Sequence, residues 1–219
     1  MTLALLHTSP LHVPVFDALR DEAHAGLELR HLVDESLLSR ARELGPEAVA
    51  DDVRDAVARA VAAGATAVLC TCSTIGAVAE AAGSATGVPV VRGDRPMAAA
   101  AVAAGGRVVV LATVASTLAP TVALVEEEAH RAGRPVTVRT LLVEAAWPHF
   151  EAGDTQEYVR LVAATADTVT GADADVIVLA QASMAPARHL VRTAVPVLSS
   201  PGPGLAAAAA RVRAGVPGD

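Results

Sequence analysis

The sequence predicts an α/β protein built from parallel sheets, and two observations carry that prediction. Short apolar runs alternate with stretches of helical periodicity along the chain, the pattern of strands joined by crossover helices. The pattern also runs through twice. Arg30-His31-Leu32-Val33-Asp34-Glu35 is echoed by Arg139-Thr140-Leu141-Leu142-Val143-Glu144 at a spacing of 109 residues. The same spacing places Val68-Leu69 on Ile177-Val178, Cys72 on Gln181 and Thr74 on Ser183. Two stretches at one offset point to a duplicated α/β unit.

In order, Leu3–Leu6 is a buried strand ending in the polar turn His7-Thr8-Ser9-Pro10. Pro14–Ala23 is a helix with Val15, Phe16 and Leu19 on one face, and Leu27–Val33 is a second strand ending at Asp34-Glu35-Ser36. Pro46–Ala63 is a longer helix, opened by a proline in its first turn and closed by Gly64. Ala65–Leu69 is a third strand, Ala77–Ala82 a helix and Val88–Val91 a fourth strand. The second pass has helix Pro96–Ala104, strand Arg107–Leu111 and the polar turn Ala112–Thr117, then helix Thr121–Ala132 and strand Val136–Val143. It closes with helix Thr155–Thr168, strand Val176–Leu179, the turn Gln181–Pro186 and strand Val195–Leu198. A Pro/Gly turn, Ser199–Gly204, leads to a terminal helix, Leu205–Ala214.

Composition narrows the function classes. The chain has 219 residues, is 53% apolar but only 2% aromatic, and carries a net charge of −7. The core must therefore be aliphatic, and a general nucleic-acid binder, which needs a basic surface, is not expected. No apolar stretch reaches membrane-spanning length and no signal peptide is read, so the expected setting is cytoplasmic, away from the membrane. The two cysteines, Cys70 and Cys72, are too close in sequence for an unstrained disulfide and have no Cys or His cluster to share a metal with. They read as reduced thiols, with no metal expected. Neither a dinucleotide nor a P-loop fingerprint is present.

Chemistry is expected where strands end. Cys72 falls in the turn after the third strand, beside the Ser73 and Thr74 hydroxyls and the amides of a helix start, a setting that stabilises a thiolate and binds an anion. Cys70, inside the strand, reads as core. Thr8, Ser9, Thr113, Ser116 and Thr117 end strands in the same way and are candidate ligand contacts; Ser73 and Thr74 could equally cap the following helix. His7 ends the first strand and reads first as a hydrogen-bonded structural histidine, with acid/base work as the alternative. His189 reads as non-catalytic, and Asp34, Glu35 and Glu144 as capping or hinge groups.

These residues resemble the Asp/Glu/hydantoin racemase superfamily, which includes arylmalonate decarboxylase. Cys72-Ser73-Thr74 is similar to the family's Cys-Asn-Thr. Leu6-His7-Thr8-Ser9-Pro10, Leu111–Thr117 and Leu179-Ala180-Gln181 support it, the last standing where the family usually has Leu-Gly-Cys. The resemblance implies two flavodoxin-like domains related by a pseudo-two-fold, with the site in the cleft between them. It places residues 1–93 plus 199–219 in the first domain, with Cys72, and 94–198 in the second, with Gln181.

The resemblance also implies cofactor-independent proton transfer alpha to the carboxylate of a small acid, a carboxylate cradle drawn from Thr8, Ser9, Ser73, Thr74, Thr113, Ser116 and Thr117, and a homodimer. The family pattern uses two thiols on opposite faces of the substrate. Here Gln181 stands for the second, and a carboxamide is not a base. Racemisation by a thiol pair gives way to proton transfer by Cys72 with Gln181 binding substrate, to a one-thiol decarboxylase or lyase, or to a carboxylate-binding homologue without catalysis. Arylmalonate decarboxylase works with one thiol but keeps it in the second half.

Overall fold

The computed structural model describes residues 2–214; residue 1 and residues 215–219, at the two ends of the expected first domain, lie outside the described residues. The chain divides into two compact units: the N-terminal stretch to Asp94 together with the segment from Pro201, and Arg95–Ser200.

The first unit runs β1 (Thr2–His7), α1 (Val13–Ala23), β2 (Glu28–Val33), α2 (Glu35–Leu44), α3 (Ala50–Ala62), β3 (Ala65–Cys70), α4 (Gly76–Gly83) and β4 (Val90–Arg92). The second runs α5 (Arg95–Ala104), β5 (Arg107–Ala112), α6 (Ala115–Ala132), β6 (Thr137–Leu142), α7 (Trp147–Glu151), α8 (Thr155–Ala166), β7 (Val176–Leu179) and β8 (Val197–Ser199). The last helix, α9 (Pro201–Ala214), belongs to the first unit, where Leu205, Ala208 and Val212 pack on β1 and β3.

Each unit holds a four-stranded parallel sheet, ordered β2-β1-β3-β4 in one and β6-β5-β7-β8 in the other. The two orders are the same, which is the duplication read from sequence. β2 and β6 sit 109 residues apart at both ends, and so do the last residues of β3 and β7. Helices cover both faces, so the middle residues of the central strands are apolar and buried. Leu3 and Leu5 face α1 and α9, while Leu6 and Cys70 face α2, α3 and α4 with Leu37, Val53 and Ile75. In the second unit Leu111 and Leu179 pack on α8, and Val110 and Val178 on α5 and α6.

The observed elements depart from the expected ones in several places: α7 goes unread, and α3 starts at Ala50 because Pro46–Val49 is a 3-10 turn. α2 goes unread in the sequence because it buries only Leu37 and Ala41, an i, i+4 stripe too narrow to stand out in a polar stretch. Asp34 caps it, accepting from Ser36 N. α6 begins at Ala115, six residues before the expected start, with Pro120 in its second turn. Ser and Thr compete with the backbone for hydrogen bonds, so the Thr113–Thr117 run reads as a loop until packing decides otherwise. α9 begins at Pro201, not Leu205: both prolines lie in its first turn, where no intrahelical N–H is required. Finally, β4 and β8 start two residues late. Pro89 and Pro196 precede them, and their carbonyls accept from Val68 N and Ile177 N.

Candidate functional site

The strand-end turns are built alike in the two units. Past β3, Thr71 N donates to Leu6 O; past β7, Ala180 N donates to Leu111 O. The next residues are Cys72 and Gln181, so each stands second beyond its strand, at the C-terminal end of its sheet. In the same way Asp34 N donates to His7 O and Val143 N to Ala112 O, which makes Thr8 and Thr113 counterparts.

In the first unit, Cys72 is 9% exposed and borders the apolar cluster of Leu6, Leu37, Val53 and Ile75. Thr8, Ser73 and Thr74 are buried beside the strand ends. Ser9 caps the short 3-10 turn Pro10–His12 through Leu11 N. The N-cap of α4 is Ile75, which makes no side-chain cap bond, and Ser73 meets the helix start through its carbonyl, which accepts from Gly76 N at 3.3 Å. Cys70 is fully buried, its thiol donates to Cys72 O at 3.6 Å, and burial pushes its pKa well up, so it holds the turn as a neutral group.

Two residues missed in the sequence lie under this turn. Arg92, at the end of β4, pairs with Cys70 in the sheet and makes a two-pronged bond to Asp94, Nε to Oδ1 at 2.7 Å and Nη2 to Oδ2 at 3.1 Å. Both side chains are almost completely buried, and Nη2 reaches Ser73 O at 3.5 Å. Gly76 is required here, because a Cβ would stand 2.8 Å from Arg92 Nε. The available signal was a charged Arg-Gly-Asp directly after the apolar Val88-Pro89-Val90-Val91.

His7 is the structural histidine expected, and more. It is fully buried, Nδ1 lies 2.8 Å from Thr71 Oγ1, and Nε2 lies 2.8 Å from His31 Nδ1. Burial first, then His12 and His31, pull its pKa down to about 3, so it stays neutral. Burial also lowers His12 to about 4, and its Nδ1 is buried without a partner.

In the second unit, Gln181 Oε1 accepts from Thr113 N at 2.6 Å and from Thr113 Oγ1 at 3.0 Å. A backbone N–H can only donate, so the carboxamide orientation is determined: oxygen toward Thr113, NH2 away from it. Thr113 Oγ1 also lies 3.4 Å from the hydroxyl of Tyr158, which is 2.7 Å from Ser183 Oγ. Tyr158 is fully buried, and its pKa is raised mainly by that burial. Sequence reasoning passed over it, although it is the one tyrosine in an aromatic-poor chain. Thr117 is buried in the first turn of α6, and Ser116 Oγ there is buried with no partner. α6 begins after Val114 with no side-chain cap, and Thr117 N donates back to Val114 O at 3.1 Å.

The structure thus groups Thr8, Ser9, Cys72, Ser73 and Thr74 at one sheet end, and Thr113, Ser116, Thr117 and Gln181 at the other, with a direct Thr113–Gln181 bond. His189 ends a 3-10 segment, Ala182–His189, beyond that site, and Glu144 opens another. Among the described residues no group of His, Cys, Asp and Glu is placed to hold a metal, and no helix is long and apolar enough to cross a membrane.

The family model for Asp/Glu/Hydantoin racemase matches residues 10–210. A search of curated protein sequences finds no match. Among solved structures, glutamate racemase isoform RacE1 from Bacillus anthracis is similar with a TM-score of 0.74 at 17% identity, over 97% of this chain and 80% of that one. An Asp/Glu racemase, described as such by inference, from Yersinia pestis gives 0.67 at 14%, over 97% and 99%. A variant of arylmalonate decarboxylase in a sulfate-associated form gives 0.65 at 23%, over 99% and 95%.

Proposed function

Since the chain belongs to the Asp/Glu/hydantoin racemase family, we propose that it is an enzyme of that family, one that moves a proton alpha to the carboxylate of a small acid with Cys72 as its single acid/base thiol. The Cys72 thiolate takes the α-proton, the electron pair passes into the carboxylate as an enediolate, and the thiol returns the proton to carbon. At the Cys72 sheet end Thr8, Ser73 and Thr74 supply hydroxyls to the carboxylate, and in its own unit Gln181, with Ser116 and Thr117, offers donors of the kind a carboxylate takes. Preorganised donors of this kind stabilise the enediolate. The reaction needs no cofactor in this scheme, in keeping with the family resemblance.

The carrying observation is the bond from Thr113 N to Gln181 Oε1. It supports reading Gln181 as a donor rather than a base, with proton abstraction assigned to Cys72. The same observation favours a second reading, decarboxylation. Loss of carbon dioxide itself leaves the electron pair on the α-carbon, so one acid, Cys72, then completes the reaction.

Incubation with small mono- and dicarboxylic acids in deuterated water separates the two. Deuterium at the α-carbon without carbon loss supports proton-transfer isomerisation, and carbon dioxide release supports the lyase. Saturable carboxylate binding with neither outcome identifies a binding protein. Activity unchanged in Cys72→Ala would refute both enzymatic readings.

A further inference from the structure

Four side chains of the first unit form one hydrogen-bonded line: Thr71, His7, His31 and Asp17. Thr71 stands just past β3, and its Oγ1 is 2.8 Å from His7 Nδ1. His7 Nε2 is 2.8 Å from His31 Nδ1, and His31 Nε2 is 3.4 Å from Asp17 Oδ1. The two imidazole centroids are 5.1 Å apart and their planes differ by 19°. With nitrogens that close, the rings lie edge to edge and nearly coplanar, so the N–H of one points along the in-plane lone pair of the other. The line runs outward: His7 is fully buried, the His31 side chain is 16% exposed and that of Asp17 is 40% exposed.

The geometry points to a proton relay in which Thr71, His7, His31 and Asp17 carry a proton between the C-terminal end of β3, immediately before Cys72, and solvent. Only two arrangements of hydrogens satisfy the line while both rings stay neutral. In the first, Asp17 is ionised: His31 Nε2–H donates to it, His7 Nε2–H donates to His31 Nδ1, and the Thr71 hydroxyl donates to His7 Nδ1. Leu6 O then keeps the Thr71 N–H as its donor at 3.1 Å. In the second, Asp17 is protonated and donates to His31 Nε2, His31 Nδ1–H donates to His7 Nε2, and His7 Nδ1–H donates to Thr71, whose hydroxyl turns to Leu6 O at 3.2 Å.

The two arrangements differ by one proton. A proton reaching Thr71 Oγ1 from inside displaces the Thr71 hydroxyl proton onto His7 Nδ1. His7 passes its Nε2 proton to His31 Nδ1, and His31 passes its Nε2 proton to Asp17, which releases it to water. Inward transfer reverses every step. No bond other than O–H and N–H is made or broken, and no ring holds a positive charge.

The surroundings fit such a carrier. Burial, then His12 and His31, keep His7 from becoming an imidazolium, so it passes a proton without trapping it. The charged and titratable neighbours come from three elements: His12 in the 3-10 turn, Asp17 and its partner Arg20 on α1, and His31 on β2. α9 meets this face of the sheet with Leu205, Ala208 and Val212, and Phe16 of α1 packs on the His7 ring with centroids 5.5 Å apart. A thiol that protonates the carbanion left by loss of carbon dioxide, or that trades its proton with solvent before returning it to the enediolate, needs a path for that proton. Serving Cys72 in this way rests on the assignment of the acid/base role to that residue.

The test is nuclear magnetic resonance of the full chain labelled with 15N-histidine, read as ring tautomers and as the solvent-exchange rate of the His7 ring proton. Near neutral pH both His7 and His31 should carry the proton on Nε2. If the relay operates, His31→Phe slows exchange of the His7 proton by roughly tenfold or more, leaving only local opening as a route. Asp17→Asn, an exposed change that spares the core, slows it severalfold. A merely structural role predicts the opposite, since loosening a buried bond speeds exchange. Exchange as fast as wild type or faster in Asp17→Asn, or His7 carrying its proton on Nδ1 at neutral pH, overturns the relay. These readouts need no turnover, so they stand apart from the activity of Cys72→Ala, which decides the role of the thiol alone.

Discussion

Gln181 replaced by leucine and, separately, by glutamate tests the donor role of this residue through stability before any substrate is known. The wild-type oxygen accepts from Thr113 N at 2.6 Å and from Thr113 Oγ1 at 3.0 Å. Leucine removes that single acceptor and with it both bonds. The Thr113 hydroxyl can turn to Tyr158, 3.4 Å away, but the amide of a residue only 2% exposed has no such freedom. One orphaned buried N–H costs about 1–3 kcal/mol. Glutamate keeps an oxygen toward Thr113 and loses only the outward NH2, so its cost should stay under about 1 kcal/mol.

The chain has one tryptophan, Trp147, in the second unit, so its fluorescence follows the unit that holds Gln181. With a urea m-value near 2 kcal/mol/M, the leucine variant should unfold about 1 M earlier than wild type and the glutamate variant close to it. Equal midpoints for the two variants, or a lower one for glutamate, would refute the oxygen-inward orientation. In an activity assay the order inverts. Under the proposed donor role glutamate presents an oxygen in place of the NH2, and losing a hydrogen bond to a charged group lowers kcat/KM by roughly ten- to a hundredfold.

Three further outcomes follow from the geometry. Gly76→Ala places a methyl 2.8 Å from Arg92 Nε, whose guanidinium is held by Asp94, so urea unfolding should show a loss of about 1–3 kcal/mol. A stability unchanged in that variant would mean that Arg92 is not held under the turn. His7 and His12 have folded pKa values near 3 and 4 against an ordinary 6.5. Below 6.5 the unfolded chain binds protons that the folded chain refuses, so their contribution is complete above pH 6.5 and lost as pH falls toward 3. As pH falls from 6.5 to its own folded value, each histidine takes away up to about 1.4 kcal/mol of stability per pH unit, and His7→Phe should flatten the acid limb of the stability profile. Tyr158→Phe deletes the bonds to Ser183 and Thr113 at the cost of about 1 kcal/mol, readable in the same Trp147 assay.

Strand–helix alternation is a local property, since an apolar run and a 3.6-residue period are visible without knowing what they pack against. The parallel sheets, the duplicated unit and the equivalence of Cys72 with Gln181 were therefore legible from residue patterns and one repeated spacing, whereas the strand order came from the structure. α2 and the early starts of α6 and α9 were not, because polar, Ser/Thr-rich or proline-rich stretches become helical only when a neighbouring sheet covers one face. Cys72 and the hydroxyl residues could be nominated because chemistry at a strand end leaves a cluster of small polar residues in the sequence.

The partners of those residues could not be nominated. Arg92–Asp94, Tyr158–Ser183 and the line from Thr71 to Asp17 join positions distant in the chain or hidden in ordinary segments, and their worth lies in burial that no single residue type announces. By itself, the sequence determined the α/β class, the duplication and the family, since all of these reside in residue identity and order, and it put a carboxamide, Gln181, at the position matching Cys72. Tertiary structure alone decided which way that carboxamide faces and which histidine nitrogens meet. Hydrogen-bond polarity is determined only when donor and acceptor are brought within about 3 Å of each other.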